Sequence, residues 1–507
     1  MSANPGTAAP TGRKKPAQGK ERSGAALSHA SQNTSSPEGA KEGGNLPHGW
    51  TRLTMGEVGR WFGGGTPSKA NPRFWIGGKI PWVSPKDMKF DLITDAQDHI
   101  TEDAVAQSAT NLVEEGSILI VVRSGILQHT LPVAVASRQV ALNQDLKAVK
   151  PRENIRSDYL ALALKAFERD ILHTCTKTGT TVQSLELPVF LRFQIPVAPL
   201  PEQRRIVAEI EKQFTRLEAG VTALRRVQAN LKRYRAAVLE SACEGRLVPT
   251  EAELSKTGNR KAPFETGEAL LTRILTERRK NWQGRSQYKE PVAPETETLP
   301  PLPHGWTVAS VDQLSGHITS GSRDWSQFYD KGTGTFILAQ NVRPMRLDLS
   351  ERQSVDAPKG DAETERTRVR RSDILVTIVG AKTGDVCRVP SELDDHFVCQ
   401  SVALLRPVLQ DFAKFTEMYL ASQENGQAQW KRFIYGQGRP HLSFEQLRMT
   451  AIALPPLAEQ TRIVAEVERR LSVVEELEAV VYANLQRATR LRQSILQKAF
   501  TGKLTKQ

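Results

Sequence analysis

The chain contains the same segment twice, and this repeat constrains the fold more than any other feature of the sequence. Residues 199–247 and 456–504 align without a gap at an offset of 257, with 17 identities in 49 positions. The pentapeptide LPHGW occurs at 46–50 and again at 302–306. A long internal period indicates a duplicated architecture. We therefore predict that one unit, a larger block followed by a shorter segment, is used twice.

Each copy of the shorter segment has the apolar spacing of a long helix. With Val207 at heptad position a and Ile210 at d, apolar residues recur through five heptads, and the second copy keeps the same frame. The pattern predicts helices of about 38 residues, roughly 57 Å long, with a coiled-coil seam. Gly245 and Gly502 follow the last apolar turns, as expected of helix ends. Two unrelated amphipathic helices, each packed on its own domain, are the alternative. The predicted seam residues are Val207, Ile210, Phe214, Leu217, Leu224, Leu231, Val464, Val467, Leu471, Val474, Val481 and Leu485.

The larger blocks share a pattern of strands and differ in their loops. Residues 117–122 and 373–379 are apolar runs typical of buried strands, and 140–149 and 397–405 are expected to pair with them. Each block also has a short amphipathic helix, so the predicted fold class is α+β, with two similar domains and two long helices. The predicted segments are a disordered tail (1–45), a first domain (46–198), a first helix (199–247), a connector with a short helix and a proline-rich linker (248–301), a second domain (302–454) and a second helix (455–507).

Charge and loop composition point to nucleic acid. The net charge is +13, and the first 45 residues contain six Lys/Arg and three Glu, so +10 remains on the rest of the chain. A basic body suggests a polyanionic partner. The loops mix Lys and Arg with Asn, Gln, Ser and Thr, which bind phosphates and base edges. The candidate DNA-binding residues are Thr66, Ser68, Lys69, Arg73, Lys79, Ser84, Lys86, Lys89, Arg123, Ser124, Gln128, His129, Thr180, Thr181, Gln183, Arg323, Gln340, Asn341, Arg343, Lys382, Gln437, Arg439 and His441.

Patterns typical of enzymes are incomplete in this sequence. Asn71-Pro72-Arg73-Phe74 lacks the second proline of the Asn-Pro-Pro-aromatic motif of amino-methyltransferases, and residues 380–384 lack the full phosphate-loop frame. The four cysteines form no CxxC pair, and the histidines show no ligand-like spacing. We predict no catalytic residue and no metal site, and free thiols. The sequence has no run of 18 apolar residues, so no transmembrane helix is expected.

These motifs together resemble the specificity (S) subunit of a type I restriction–modification system. Residues 63–88 (GGGTPSKANPRFWIGGKIPWVSPKDM) and 123–149 are similar to parts of that family's target-recognition domains. PLPEQRRIVAEIE and PLAEQTRIVAEVE resemble the starts of its two spacer helices, and LPHGW resembles its domain entry. The resemblance covers about residues 46–506.

The resemblance implies an architecture and a function. Two target-recognition domains would be held by an antiparallel coiled coil, each reading one half of a split double-stranded DNA target. Two methyltransferase (M) subunits would use S-adenosylmethionine to methylate adenine at N6, and restriction (R) subunits would use ATP and magnesium. The chain itself would bind none of these cofactors, and the location would be the cytoplasm of a bacterium or archaeon.

The sequence is also compatible with two other classes of function. The first is an enzyme, a lone methyltransferase or nuclease with fused recognition domains. The second is a coiled-coil scaffold that binds only protein.

Overall fold

The chain divides into two compact units that each combine one predicted domain with parts of the long helices. One unit contains the described residues up to Lys212 together with those from Gln493 onward, and the other is Gln213–Arg492. The predicted tail, 1–45, lies outside the described residues. The computed structural model describes residues 46–177, 182–257, 264–283, 287–294, 300–321, 325–434 and 440–504.

The first unit mixes short strands with short helices, and the first long helix begins in it. Its strands are β1 (Thr51–Thr54), β2 (Gly59–Gly63), β3 (Ile80–Val83), β4 (Leu92–Ile93), β5 (Asp98–Ile100), β6 (Leu112–Val113), β7 (Ile118–Val121), β8 (Val133–Ala136), β9 (Val140–Leu142), β10 (Leu146–Pro151), β11 (Thr176–Lys177), β12 (Ser184–Leu185) and β13 (Gln194–Val197). Its helices are α1 (Glu102–Ala106), α2 (Ser157–Ala166), α3 (Glu168–Cys175) and α4 (Leu187–Arg192), followed by the long α5 (Leu200–Cys243).

Two sheets form the body of the first unit. One has the order β2-β10-β7-β8-β4 and the other β5-β3-β9-β6. The buried strand β7 pairs antiparallel with β10, as predicted. The single strand predicted at 140–149 is wrong, because β9 and β10 belong to different sheets. The polar turn between them explains the break, since the Asp145 N–H donates to the Asn143 side chain (3.0 Å).

The second unit repeats this plan with longer strands. Its strands are β14 (Thr307–Ser310), β15 (Ser315–Ser320), β16 (Tyr329–Ile337), β17 (Val342–Arg343), β18 (Arg346–Leu347), β19 (Gln353–Val355), β20 (Ile374–Thr377), β21 (Val386–Arg388), β22 (His396–Val398), β23 (Val402–Pro407) and β24 (Ala451–Leu454). Its helices are α6 (Glu251–Lys256), α7 (Gly267–Lys280), α8 (Val311–Leu314), α9 (Ala362–Thr367), α10 (Ala413–Ala421), α11 (Gly426–Lys431), α12 (Phe444–Met449) and the long α13 (Leu457–Phe500).

Strand pairing in the second unit matches the first. The main sheet has the order β15-β23-β20-β21, and a second sheet has the order β19-β16-β22. Strand β20 pairs antiparallel with β23 as predicted, but the strand expected at 397–405 is again two strands in two sheets. β22 pairs parallel with β16, as β9 pairs parallel with β3. The duplication therefore extends to the topology of the domains.

In each domain the first strand pairs with the last strand. Strand β1 pairs antiparallel with β13, and β14 pairs antiparallel with β24. In both domains the later strand leads within a few residues into a long helix. Each domain is thereby closed on itself directly before its helix.

The long helices form the predicted antiparallel coiled coil. Each has 44 residues, so each is roughly 66 Å long, more than expected. Within the second unit, Leu231 packs with Val474 and Val481. Two polar a positions are in contact across the seam, since Arg235 lies 3.2 Å from Glu478. At a further a position the Arg492 guanidinium lies 4.4 Å from the centre of the Phe214 ring. The contact positions rise along α5, from Phe214 to Arg235, as their partners fall along α13, from Arg492 to Glu478. The two helices are therefore antiparallel.

The repeated LPHGW and PL-x-EQ motifs contact each other within each unit. The Trp50 indole N–H donates to Glu202 (2.9 Å), and the Trp306 indole N–H donates to Glu459 (2.9 Å). The glycine at the end of a long helix also packs on an LPHGW proline: an added Cβ at Gly502 would lie 2.1 Å from Pro47. The matching distance from Gly245 to Pro303 is 2.6 Å. The sequence motifs are thus repeated because each forms half of a repeated contact.

Candidate nucleic-acid interface

Three chain segments meet at the carboxyl end of strand β7 and form what we call the first junction (122–125, 143–145 and 182–185). The Val122 N–H donates to the Asp145 carbonyl (2.8 Å), and the Leu185 N–H donates to the Val122 carbonyl (2.8 Å). The Ser124 N–H donates to the Gln183 carbonyl (3.1 Å). The backbone is therefore fixed by hydrogen bonds while polar side chains at the strand end reach solvent.

A glycine-rich segment presses against the first junction. The Gly65 N–H donates to the Leu142 carbonyl (2.9 Å). A Cβ at Gly64 would lie 1.7 Å from the Asn143 carbonyl oxygen, so only glycine permits this approach. The next residue, Thr66, is exposed and donates its hydroxyl to the side chain of Gln144.

The side chains of the first junction are polar and carry opposite charges. Arg123 is exposed, and its guanidinium pairs with Asp145 at 2.7 Å. The Asn143 amide also donates to Asp145 (3.2 Å). Two apolar side chains, Ile126 and Val182, are 42% and 44% exposed at its edge. A cation, amides and exposed apolar groups at one place are the functional groups that read base edges and thymine methyls.

The second unit builds a second junction (378–380, 399–401 and 440–442) on the same hydrogen bonds. The Ile378 N–H donates to the Ser401 carbonyl (2.9 Å), and the Leu442 N–H donates to the Ile378 carbonyl (2.9 Å). The Gly380 N–H donates to the Pro440 carbonyl (3.0 Å). A glycine again packs closely here: the Gly321 N–H donates to the Cys399 carbonyl (3.1 Å), and a Cβ at Gly321 would lie 1.6 Å from the carbonyl oxygen of Val398, the residue before the junction.

The side chains of the second junction differ from those of the first. Val379 occupies the place of Arg123, and Pro440 that of Gln183. Positive charge comes instead from the exposed Lys382 in the loop that follows. Burial raises the pKa of Asp385 in that loop, and Lys382 opposes this shift. The two junctions thus have the same pattern of backbone hydrogen bonds but present different side chains.

The structure brings part of the predicted DNA-binding set together at the junctions. Arg123, Ser124 and Gln183 belong to the first junction with Thr66 beside it, and Gln128 and His129 are exposed on the short turn that follows. His441 belongs to the second junction, bridged to Val379, and Lys382 follows it. These positions stay predictions as DNA contacts.

Other predicted residues lie outside the junctions. Gln340 is exposed, and Arg343 is half-buried in the short strand β17, which contacts β20 and β21 of the main sheet of its domain. Lys86 pairs with Asp98 at 2.8 Å, and this hydrogen bond raises the pKa of Lys86. The predicted residues of the loop region 67–89 that are exposed are Ser68, Lys69, Arg73, Lys79, Lys86 and Lys89. Outside the described residues lie Thr180, Thr181, Arg323, Gln437 and Arg439.

Two predicted contact residues are corrected by their burial. Ser84 is 6% exposed, and its hydroxyl donates to Asp87 (2.8 Å). Asn341 is 2% exposed; its amide oxygen accepts from the Leu338 N–H (2.9 Å), and its amide nitrogen donates to the Asp348 carbonyl (2.9 Å). Both side chains use their hydrogen-bonding capacity to hold loops, so neither is presented to DNA.

Two junction residues were missed by the sequence analysis. Gln144 and Gln400 occupy the same place, between β9 and β10 in one domain and between β22 and β23 in the other. The signal was available, because both lie within the segments matched as strand pairs and share an offset of 256.

Metal-binding and membrane-spanning features are absent from the described part of the chain. No group of three His, Cys, Asp or Glu residues there could hold a metal ion. No helix within the described ranges is both long enough and apolar enough to span a bilayer.

Comparison with known proteins identifies the class that this fold and site define. The family model described as type I restriction modification DNA specificity domain matches residues 47–224 and 352–479, which is more than half of the chain. The chain therefore belongs to the family of type I restriction–modification DNA specificity proteins.

Particular relatives support this assignment. Over 169 residues the chain is 47% identical to the EcoR124I/EcoR124II specificity subunit of Escherichia coli, a match covering 33% of this chain and 42% of that protein. It is 26% identical to the Escherichia coli EcoBI specificity subunit over 339 residues, covering 65% and 62%. The chain thus spans less than two thirds of these relatives.

A solved structure shares the fold. A chain from work on complex assembly and conformational transition of the type I R-M system aligns with a TM-score of 0.60 at 19% identity. The alignment covers 90% of this chain and 99% of that chain. At this identity the likeness supports the fold alone, including the two domains and long helices predicted from the sequence.

Proposed function

We propose that this chain is the DNA-specificity subunit of a type I restriction–modification complex. Each of its two domains reads one half of a bipartite double-stranded target. Two methyltransferase subunits methylate adenine at N6, and restriction subunits cleave DNA. In this proposal the chain has no catalytic residue, and S-adenosylmethionine, ATP and magnesium are bound by the partner subunits.

One observation carries the proposal. The two junctions are built on three equivalent backbone hydrogen bonds, yet their side chains differ at the positions of Arg123, Ser124, Asp145 and Gln183. A fixed backbone with variable polar side chains is what two readers of different sequences need, because loops on a rigid scaffold carry specificity. The basic charge of the chain supplies attraction to the phosphate backbone.

The coiled coil offers a surface for the partner subunits. Heptad positions c and g of α13 expose Val473, Leu477, Val480 and Leu491, which are 48%, 46%, 56% and 48% exposed. Tyr234, at a g position of α5, is 45% exposed. Exposed apolar side chains grouped on one side of a helix pair are typical of a protein-binding surface. We assign this face to docking of methyltransferase subunits.

Co-expression with a type I methyltransferase subunit tests the function. Genome-wide mapping of methylated adenines is expected to give one bipartite motif with a fixed gap. Exchanging residues 46–198 for a homologous domain is expected to change one half of the motif and leave the other intact. Changes in both halves would contradict modular reading.

The same material separates the two other classes of function. A purified chain that transfers methyl groups from S-adenosylmethionine without partners would be an enzyme in its own right. A complex that forms with the methyltransferase subunit but shows no sequence preference on DNA would be a protein scaffold. We expect neither result.

A further inference from the structure

The first junction contains three connected side chains, the last of which is an exposed arginine. Asn143 is 6% exposed, and its N–H donates to the Val83 carbonyl (2.9 Å). The Asn143 amide donates to one carboxylate oxygen of Asp145 (3.2 Å), and the other carboxylate oxygen accepts from Nε of Arg123 (2.7 Å). A buried side chain thus positions the carboxylate, and the carboxylate positions the guanidinium.

The backbone holds both members of the ion pair in place. The N–H groups of Val122 and Arg123 both donate to the Asp145 carbonyl (2.8 and 3.3 Å). The Ser124 N–H donates to the Gln183 carbonyl (3.1 Å) on the other side of Arg123. A side chain whose backbone and direction are already fixed loses little conformational entropy when it binds a ligand. The guanidinium is therefore preorganised.

The guanidinium presents its terminal nitrogens to solvent. The Arg123 side chain is 56% exposed, whereas that of Asp145 is 20% exposed. The ion pair uses Nε, and the two Nη atoms have no hydrogen-bond partner within the described part of the chain. An ion pair as exposed as this contributes little to stability. Its main consequence is the direction of the guanidinium rather than the stability of the fold.

The two Nη groups select the ligand by their hydrogen-bonding pattern. An arginine presents N–H donors and no acceptor. In the major groove guanine presents two adjacent acceptors, O6 and N7, whereas adenine places the N6 donor beside its N7 acceptor. A phosphate also offers acceptors, but the Asp145 carboxylate offsets the charge of Arg123 at 2.7 Å and disfavours a second anion. The uncharged edge of guanine therefore fits this ion pair better than a phosphate.

We propose that Arg123 binds a guanine in the major groove of one half-site and that Asp145 is its positioning residue. The second junction has Val379 at the place of Arg123, and a valine side chain has no hydrogen-bond donor. The contact is therefore specific to the half-site bound by the first domain. This inference rests on the proposed function and adds to it the identity of one base and the residue that binds it.

Methylation mapping with the complete methyltransferase complex tests the base contact. The half-site of the first domain is the one that changes when residues 46–198 are exchanged, and the wild-type motif is expected to contain a guanine there. Arg123→Ala should lower discrimination at that guanine about 10- to 100-fold and leave the other half-site intact. Arg123→Gln should shift the preference at the same position to adenine, because glutamine matches adenine N6 and N7.

A double-mutant cycle tests the positioning role of Asp145. Asp145→Asn keeps the shape of the side chain, removes its charge and should lower discrimination at the same guanine. It should cause no further loss at that guanine in the Arg123→Ala background, because the two residues act through one contact. Additive losses in the double variant would show that Asp145 does not act through Arg123.

A control and three outcomes decide the inference. Arg138→Ala changes an exposed arginine of the same domain, between β8 and β9 and outside the junction, and should leave the motif unchanged. Uniformly weaker methylation with an unchanged motif in the Arg123→Ala variant would show a phosphate contact and overturn the inference. Relaxation at a base other than guanine would also overturn it. Absence of a bipartite motif in the wild-type complex would refute the proposed function, and the inference with it.

Discussion

The indole N–H of Trp306 donates to the carboxylate of Glu459 at 2.9 Å, although 153 residues separate the two in the chain. Both side chains are buried. The equivalent pair, Trp50 and Glu202, has the same distance but is only partly buried. Each pair connects the strand that opens a domain with the helix that follows it. The duplicated motifs therefore form a joint between domain and helix.

Trp306→Phe should destabilise the second unit by about 1–3 kcal/mol, because it removes a hydrogen bond to the buried Glu459 carboxyl group. Trp50→Phe is the matched control and should cost less, since Glu202 is more accessible to water. Native-state hydrogen exchange measures each unit separately. Equal losses in the two variants would contradict the role of burial.

The stability of the second unit should fall as pH rises from about 4.5 to 7. Burial raises the pKa of Glu459 to about 7, although the Trp306 N–H and the charge of Arg462 oppose the shift. The folded unit therefore holds a proton that the unfolded chain has already released in this range. Glu459→Gln cannot ionise and should flatten the profile, gaining about 1–3 kcal/mol relative to wild type at pH 8 compared with pH 5. If the stability of the wild-type protein and of the Glu459→Gln variant changed equally with pH, this role of Glu459 would be refuted.

Leu231→Ala should destabilise the coiled coil by about 2–5 kcal/mol, since it removes a buried side chain that packs with Val474 and Val481. Leu477→Ala changes a leucine of the same coiled coil that is 46% exposed, and should alter stability by less than about 0.5 kcal/mol. Thermal unfolding followed by helical circular dichroism measures both. Comparable effects would mean that the seam is assigned wrongly.

Gly64→Ala should distort the first junction, because its Cβ would lie 1.7 Å from the Asn143 carbonyl oxygen. The backbone must move, at a cost of about 1–3 kcal/mol or more. Gly220→Ala, on α5 outside the junction, is the control, since no atom lies within 4 Å of its added Cβ. Binding of the methyltransferase complex to its DNA target should weaken in the first variant only. Unchanged DNA binding by the Gly64→Ala variant would show that this glycine does not contribute to the interface.

The parts of the fold that follow from periodic burial could be predicted from the sequence. Leu231 and Val474 fall on d positions, and a helix of this length must bury such a stripe. The turn at Asn143 and Asp145 could not be placed, because the apolar residues on both sides continue the strand pattern. Its polar residues form a local hydrogen bond whose effect depends on which sheet each strand joins.

The candidate site was predicted only in outline for a related reason. Arg123 and Gln183 are distant in sequence, and they meet because loop backbones pair next to Leu185. Residue type alone also could not separate Asn341, whose amide is used by backbone groups, from an asparagine open to solvent. Both distinctions depend on tertiary contacts rather than on composition.

The last turns of α13 have a consequence for the order of synthesis. Gln493 donates to the Ala166 carbonyl (2.9 Å), and the Phe500 ring centre lies 5.0 Å from that of Tyr159, so these residues belong to the first unit. The first domain therefore emerges from the ribosome long before the last turns of α13, which complete its contacts, have been synthesised. The first domain can be completed only after the entire second domain has been translated. Truncation of the chain after Arg492 would therefore leave the first unit incomplete, although it is made first, while the second unit would retain all its residues.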